Sequence, residues 1–357
     1  MLSRALCLVL LGYLVLGCEK EERPSSSKPE EAAAPPAAPG MDPDLAQAVA
    51  AASAAPAPGN GPGAGPPPNG IFAPGAADKE VAAGQPPKLS LGSNGAEPRV
   101  SLQPAQPKPG AKYAATLQVA LKNDPRQGAL PIDFGITFEA QKPKGEEGMV
   151  TEVPVVVRVT SARIGISGAP KELEDSIAKL KGSKVEYLSL PGGGATGFRF
   201  ELAKGTSAEL GDTVRALSDT LAAMIVPLPK EPVGVGAYWM ATSRDGLLGL
   251  DLVTYRLVKV ESVEAAKVTL SVNTKRYSAS GSFDLPGLPA DAPRTLAEFQ
   301  SMSEGKLELS PGTGFPSTAT ESSVLAASLG RAGSPDERGT LEVRIRGELR
   351  PAAAAAR

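Results

Sequence analysis

Apolar and polar residues alternate in one short run after another between Tyr113 and Leu349, and that period suits strands with one face buried and the other wet. Tyr113, Ala115, Leu117, Val119 and Leu121 share one phase, against Lys112, Thr116, Gln118 and Lys122 in the other. The pattern returns at Ile132, Phe134, Ile136 and Phe138, then at Val153, Val155, Val157 and Val159. Two further strands, 184–190 and 198–202, flank a glycine-rich turn from Pro191 to Gly197, and others are expected at 250–260, 268–277, 305–309, 317–326 and 339–349. The last is the clearest, with Leu341, Val343, Ile345 and Leu349 inward and Glu342, Arg344, Arg346 and Glu348 outward. Such a succession, with no fixed repeat, reads as an antiparallel meander.

Two helical stretches interrupt it. A short one carries Leu173, Ile177 and Leu180 and ends at Gly182. A longer one opens on the capping box Thr206-Ser207-Ala208-Glu209, sets Leu210, Val214, Leu217, Leu221, Met224 and Ile225 on one stripe, and stops before Pro227-Leu228-Pro229. At about 1.5–3 kcal/mol per large side chain buried, this helix belongs to the core. The segment Pro232 to Trp239 reads as a strand with Gly234 and Gly236 on one face and Val233, Val235, Ala237 and Trp239 on the other. Glycines on one face admit a close backbone or a ligand, so Gly234, Gly236 and Trp239, with Leu217 and Leu221 of the helix, form the candidate packing or ligand face. The segment 285–299 reads as a loop with a helical turn. The expected fold is mainly β: one antiparallel domain over 110–350, a curved sheet or a sandwich-like pair, with one long packed amphipathic helix.

Residues 18–109 differ sharply, being rich in Pro, Ala, Gly and Ser, with runs such as Ala32-Ala33-Ala34-Pro35-Pro36 and Gly65-Pro66-Pro67-Pro68. Such a segment buries too little apolar area to offset its ordering entropy and is expected to be a disordered tether. The stretch from Asp42 to Ala54 reads as a short transient helix or a docking peptide, and Ile71-Phe72 is another apolar spot. The tail 351–357 is expected to be disordered as well.

Residues 1–17 begin with a basic Met1-Leu2-Ser3-Arg4, continue through an apolar run of about 13 residues and close on a small residue, the organisation of a signal peptide. At 1.5 Å per residue that run is too short to cross roughly 30 Å of hydrocarbon. Val15-Leu16-Gly17-Cys18 resembles the lipobox of bacterial lipoproteins, with Leu16 where a smaller residue is commoner. The resemblance implies cleavage after Gly17 and a diacylglyceryl group on the Cys18 thiol. It also implies acylation of the new amino group, palmitate being one such chain. Two or three acyl chains, at about 0.8 kcal/mol per buried CH₂, make release from a membrane negligible. It further implies a lipid-anchored protein of the cell envelope. Glu19, which is not the Asp that retains such proteins at the inner membrane of enteric bacteria, points to the outer membrane, facing periplasm or cell surface.

From Leu180 onward the chain also resembles an uncharacterised family of bacterial envelope lipoproteins of unknown function. The resemblance is carried by Leu228-Pro229 leading to Pro232-Val233-Gly234-Val235-Gly236 and Trp239, by Thr254-Tyr255-Arg256-Leu257-Val258, and by the Gly305 strand with Pro311-Gly312-Thr313-Gly314-Phe315. It implies no activity and no catalytic residue.

Of the two cysteines, Cys7 would leave with the signal and Cys18 would carry lipid, so no disulfide can staple the domain and its stability must come from a core. Histidine is absent, which removes the usual metal ligand and general base. A net charge of -2 and 4% aromatic residues give no basic field or stacking platform for nucleic acid. Gly192-Gly193-Gly194-Ala195-Thr196-Gly197 matches G-x-G-x-x-G but is followed by a strand rather than a helix. Ser303-Glu304-Gly305-Lys306 matches S-x-x-K without its helix or its K-T-G and S-D-N partners. Carboxylates at Glu172, Glu174, Asp175, Asp245, Asp251 and Asp284 are unmarked by spacing, and no D-x-D-x-D-G calcium loop occurs. The expected function is therefore a non-catalytic binding or structural β-domain held at a membrane by its lipid, with no cofactor and no metal. Its partner would be an unknown envelope protein or an apolar ligand. Two alternatives stay open: a carrier of lipid or another apolar ligand in a sheet–helix cavity, and a carboxylate-based hydrolase.

Overall fold

A computed structural model describes residues 67–104, 107–122, 128–143, 152–247, 250–282, 295–331 and 334–352, with the side chains of 331–338 left aside. Twelve antiparallel strands make one sheet: β1 (Lys88–Ser93), β2 (Lys112–Lys122), β3 (Leu130–Ala140), β4 (Val153–Ile164), β5 (Lys184–Ser189), β6 (Ala195–Glu201), β7 (Tyr238–Leu247), β8 (Leu250–Glu264), β9 (Lys267–Ser278), β10 (Thr295–Leu309), β11 (Thr318–Arg331) and β12 (Ser334–Pro351). Their spatial order is β1-β7-β8-β9-β10-β11-β12-β2-β3-β4-β5-β6, so the sheet has two edges, β1 and β6. The three described helices are α1 (Ala76–Glu80), α2 (Lys171–Ala178) and α3 (Gly211–Met224). The mainly β class with one long packed helix therefore holds, in its single-sheet form.

Helix α3 touches β11, β12 and β2 in the middle of the sheet and also β6 at its edge. In a flat sheet β2 and β6 would lie roughly 19 Å apart, at about 4.8 Å per strand, beyond the reach of one helix about 10 Å across. The sheet must therefore curl around α3. Its concave face and the helix share one core, including Leu117, Phe134, Ile136, Val157, Leu217, Leu221, Met224, Trp239 and Leu252. Gly347 of β12 makes the seat: a Cβ there would stand 2.2 Å from Thr220 Cγ2 and 3.0 Å from Met224 Cε. Only a residue without a side chain lets the helix lie that close.

The capping box is not formed as expected. Ser207, not Thr206, accepts from Glu209 N at 3.4 Å and opens a single turn of 3₁₀ helix over Ala208–Leu210 ahead of α3. Thr206 Oγ1 instead donates to Lys179 O at 2.9 Å, tying the entry of α3 to the end of α2. After α3 the chain forms a strap between the two edges of the sheet. On one side Leu228 N donates to Gly192 O at 3.0 Å in the β5–β6 turn. On the other, Trp239 Nε1 donates to Pro227 O at 2.9 Å, Gln103 Nε2 donates to Leu228 O and Pro229 O, and Val233 exchanges both backbone hydrogen bonds with Val100.

Three sequence expectations are corrected. The expected tether over 18–109 ends earlier, because the compact unit starts at Asn69. Gly70 O accepts from Ser278 N, Asn69 O accepts from Phe299 N, β1 pairs with β7, and Phe72, Val81 and Leu102 are buried. The apolar residues are too sparse to show period, yet each finds an existing surface. Phe72 and Ala77 cover Val253 and Ala279 with Tyr255 and Tyr277 on the convex face, and Arg244 reaches Asp251, Asp78 and Val81 O to fasten this arm. Second, Thr295 to Phe299 is strand, the first third of β10. Third, Pro232 to Ala237 is not one strand: Val233 bridges Val100, and Gly234 to Ala237 then turn, with Gly236 at φ 80°, Val235 exposed, and Val233 and Ala237 buried.

Candidate functional site: a buried polar belt under the helix

The inner faces of five neighbouring strands break their apolar rule at the same level. Alternation puts Ser243 and Asp245 of β7 in phase with Trp239, and Thr254 and Arg256 of β8 in phase with Leu252 and Val258. Thr274 and Arg276 of β9 follow Leu270 and Val272, Ser301 and Ser303 of β10 precede Leu307, and Glu321 and Ser323 of β11 precede Leu325. The register lines them up: Ser243 lies opposite Thr254, Thr254 opposite Arg276, Arg276 opposite Ser301, and Ser303 opposite both Thr274 and Ser323. The result is a polar belt bounded by Trp239, Val258, Leu270 and Leu307 on one side and by Leu247, Leu252, Phe299 and Leu325 on the other.

Three of its charged members are almost wholly removed from water, with Arg256 5%, Arg276 6% and Glu321 6% exposed, while Asp245 is half-buried. Arg256 Nη2 lies 3.0 Å from Asp245 Oδ2, which also accepts from Ser243 Oγ at 2.8 Å. Arg276 Nη1 reaches Ser301 Oγ at 3.5 Å. Glu321 accepts hydrogen bonds from Ser323 and Ser303 and faces Arg276. It lies opposite Gly305 of β10, which presents no side chain. Helix α3 closes over the belt with Asp219 and Thr220, which join Leu247, Arg276, Glu321, Ser323 and Ile345 around one pocket.

Burial dominates the electrostatics. It drives the Arg276 pKa down, with Arg256 acting in the same direction and Glu321, Asp245 and Asp219 opposing. Burial likewise pushes the Glu321 carboxyl up to about 7, against the opposing pull of Arg276, of the Ser323 and Ser303 hydrogen bonds, and of Arg256. Among the described residues, Arg256 Nε and Thr254 Oγ1 are buried without a hydrogen-bond partner. Side chains of both the helix and the sheet crowd around this pocket. The arrangement can therefore hold or release a proton at Glu321.

The residues singled out from sequence are placed as follows. Leu217, Leu221 and Trp239 are fully buried in the core. Gly234 is approached by backbone, since a Cβ there would stand 1.7 Å from Ala96 O, and Gly236 meets nothing but needs its positive φ. Leu217, Leu221 and Trp239 thus share one core, and the two glycines lie in the segment leading into β7. Cys18 and Gly17, and Asp284 among the carboxylates, lie outside the described residues. Asp245 points into the belt while Asp251 pairs with Arg244 on the convex face, and Glu172, Glu174 and Asp175 sit on α2. The G-x-G-x-x-G run spans the β5–β6 turn and the first three residues of β6, and S-x-x-K lies within β10 with Ser303 inward and Lys306 outward. Among the described residues, no three His, Cys, Asp or Glu side chains gather as a metal set. Sequence reasoning missed the belt. Its signal was present as Thr254-x-Arg256 and Thr274-x-Arg276 falling in the apolar phase of their strands.

No protein-family model matches this chain, and no curated protein does. Among solved structures the chain is similar to DynF from the dynemicin biosynthesis pathway of Micromonospora chersina, at 10% identity, over 76% of this chain and 95% of that one, with a TM-score of 0.19. A likeness that loose carries no argument about fold or function.

Proposed function

We propose that this protein is an envelope lipoprotein, anchored through Cys18, whose β-domain serves as a non-catalytic binding or structural module on the periplasmic or surface side of an outer membrane. One observation carries the anchor: Val15-Leu16-Gly17-Cys18 closes a basic-then-apolar leader. The likeness of the second half to envelope lipoproteins of unknown function belongs to the same proposal. Support for a solid module over a carrier comes from the interior, where Leu217, Leu221, Met224, Phe134 and Trp239 occupy the space between helix and sheet. Support for a non-catalytic role comes from the belt, whose charged side chains Arg256, Arg276 and Glu321 are buried beneath α3 and away from solvent.

The test is metabolic labelling of the full chain with an alkyne fatty acid, followed by fractionation. Wild type should carry label and sediment with membranes, and Cys18→Ala should lose both. Label retained by Cys18→Ala would overturn the anchor. Mass spectrometry of an organic extract addresses the module separately, since a stoichiometric apolar molecule would replace the solid-domain reading with the carrier.

A further inference from the structure

We infer that the convex face of β10, β11 and β12 is a docking surface for a second copy of this chain, packed on it about a two-fold axis that runs along β11. These strands stand fifth to seventh in the order of twelve, so they form the crest of the curled sheet. The pairing of β11 with both neighbours sets three levels across that crest. Met302 lies opposite Val324, and Val324 opposite Arg344. Glu304 lies opposite Ser322, and Ser322 opposite Arg346. Lys306 lies opposite Thr320, and Thr320 opposite Glu348. All are in the outward phase, against buried Leu307, Leu325 and Ile345 in the inward one.

At the two charged levels β10 and β12 carry opposite signs, and the signs reverse from one level to the next. Elsewhere on the sheet opposite charges meet across adjacent strands, as Glu139 does with Arg158, Asp133 with Arg163 and Glu186 with Arg199. Here β11, uncharged at these levels, holds them roughly 10 Å apart, at about 4.8 Å per strand. Among the described residues Glu304, Lys306 and Arg346 have no ion-pair partner, and Glu348 reaches along its own strand to Arg350. A half-turn about β11 exchanges the β10 side for the β12 side and keeps each level at its height. It lays Glu304 of one copy on Arg346 of the other and Lys306 on Glu348, each contact made twice. It also lays Met302, at 57% the most exposed large apolar side chain among the described residues, on the aliphatic stem of Arg344. A half-turn across the strands would instead bring Arg344 onto Arg350 and Met302 onto Glu308. The short side chains of Thr320, Ser322 and Val324 on the axis admit the face-to-face spacing of about 10 Å at which sheets pack.

Three strands make a small interface, so the dimer should be weak and salt-sensitive. In sedimentation equilibrium of the full chain, held in density-matched detergent with micelles in excess, wild type should dimerise with a Kd on the order of 10 μM in about 50 mM NaCl. The affinity should fall about tenfold in about 500 mM NaCl. Glu304→Arg and Arg346→Glu should each weaken the dimer by about tenfold or more, because each sets like charges face to face at two contacts. The double variant, with the charges exchanged, should return to within about threefold of wild type. A wild type that stays monomeric at about 200 μM overturns the docking surface. So does a dimer that neither reversal weakens. Reversals that both weaken it without rescue in the double variant overturn the axis along β11. Should a reversal not fold, carbodiimide cross-linking of mixed ¹⁵N-labelled and unlabelled wild type decides the matter. A Lys306–Glu348 link between copies supports the arrangement, and a cross-linked dimer without it removes it.

Discussion

The two halves of the concave face are built on opposite terms. On β2, β3 and β4 the inward positions Ala115, Leu117, Val119, Ile132, Phe134, Ile136, Val155 and Val157 are all apolar and buried. Here alternation, burial and register agree, which is how a sequence specifies one structure. On β7 to β11 the same alternation delivers Arg256, Arg276 and Glu321 to an equally dry place, with Asp245 half-buried beside Arg256. Replacing buried ion pairs by packed apolar groups is commonly neutral or stabilising, so the second half is not arranged for stability alone. Local departures from the folding rules are where function is expected to sit.

The sharpest way to expose the contrast is to cut a large side chain from the first half. Phe134 is fully buried between β2 and β4, so Phe134→Ala should cost about 3–5 kcal/mol in urea unfolding, with an unchanged m-value. A loss below about 1 kcal/mol would mean that this half is not the packed core it is described to be.

The belt should answer differently to single and paired changes. Arg276→Ala strips Glu321 of its facing cation and should cost about 3 kcal/mol at pH 8, where the carboxylate is ionised. The cost should shrink at pH 5, where Glu321 takes up a proton. Pairing Arg276→Met with Glu321→Leu should restore most of the loss. A double variant as weak as the single one would show that the belt is needed for the fold itself.

Between the halves lies β12, where Gly347 admits α3. Gly347→Ala should cost about 1–3 kcal/mol, since Thr220 or Met224 must retreat. If the helix gives way rather than the side chains, the change will also weaken α3 protection against hydrogen exchange and leave β2–β4 protected.

The sequence was legible wherever one local rule sufficed. Period-two runs located β2 to β6, β8, β9, β11, β12 and the end of β10, and the apolar stripe located α3, since both periods are set by backbone geometry, while β7 and the start of β10 were not read as strands. The arm over Asn69–Ser93 was not legible, because Phe72 and Val81 are buried by surfaces that later strands supply. Pro232 to Ala237 failed for another reason: alternation is necessary for a strand but also arises in a glycine turn, and Gly236 adopts the positive φ that only the turn requires. The belt escaped notice because its members lie far apart in sequence, and only register brings Thr254, Arg276 and Ser301 side by side.

Thr254 offers the finest test of the contrast. It sits midway along the inner face of β8, fully buried, with Leu252 on one side and Arg256 on the other, and its Oγ1 has no hydrogen-bond partner among the described residues. A lone buried hydroxyl carries its desolvation cost with no bond to offset it, whereas Val fills nearly the same volume without that cost. Thr254→Val should therefore be neutral or raise stability by up to about 1 kcal/mol, read as a higher urea midpoint. The size of the effect locates the boundary of the network. A stabilised variant means that Thr254 stands outside it and that the belt proper begins at Arg256. A loss of about 1 kcal/mol or more means that the hydroxyl is bonded in solution, which would draw Thr254 and its cross-strand neighbour Arg276 into one connected unit with Glu321.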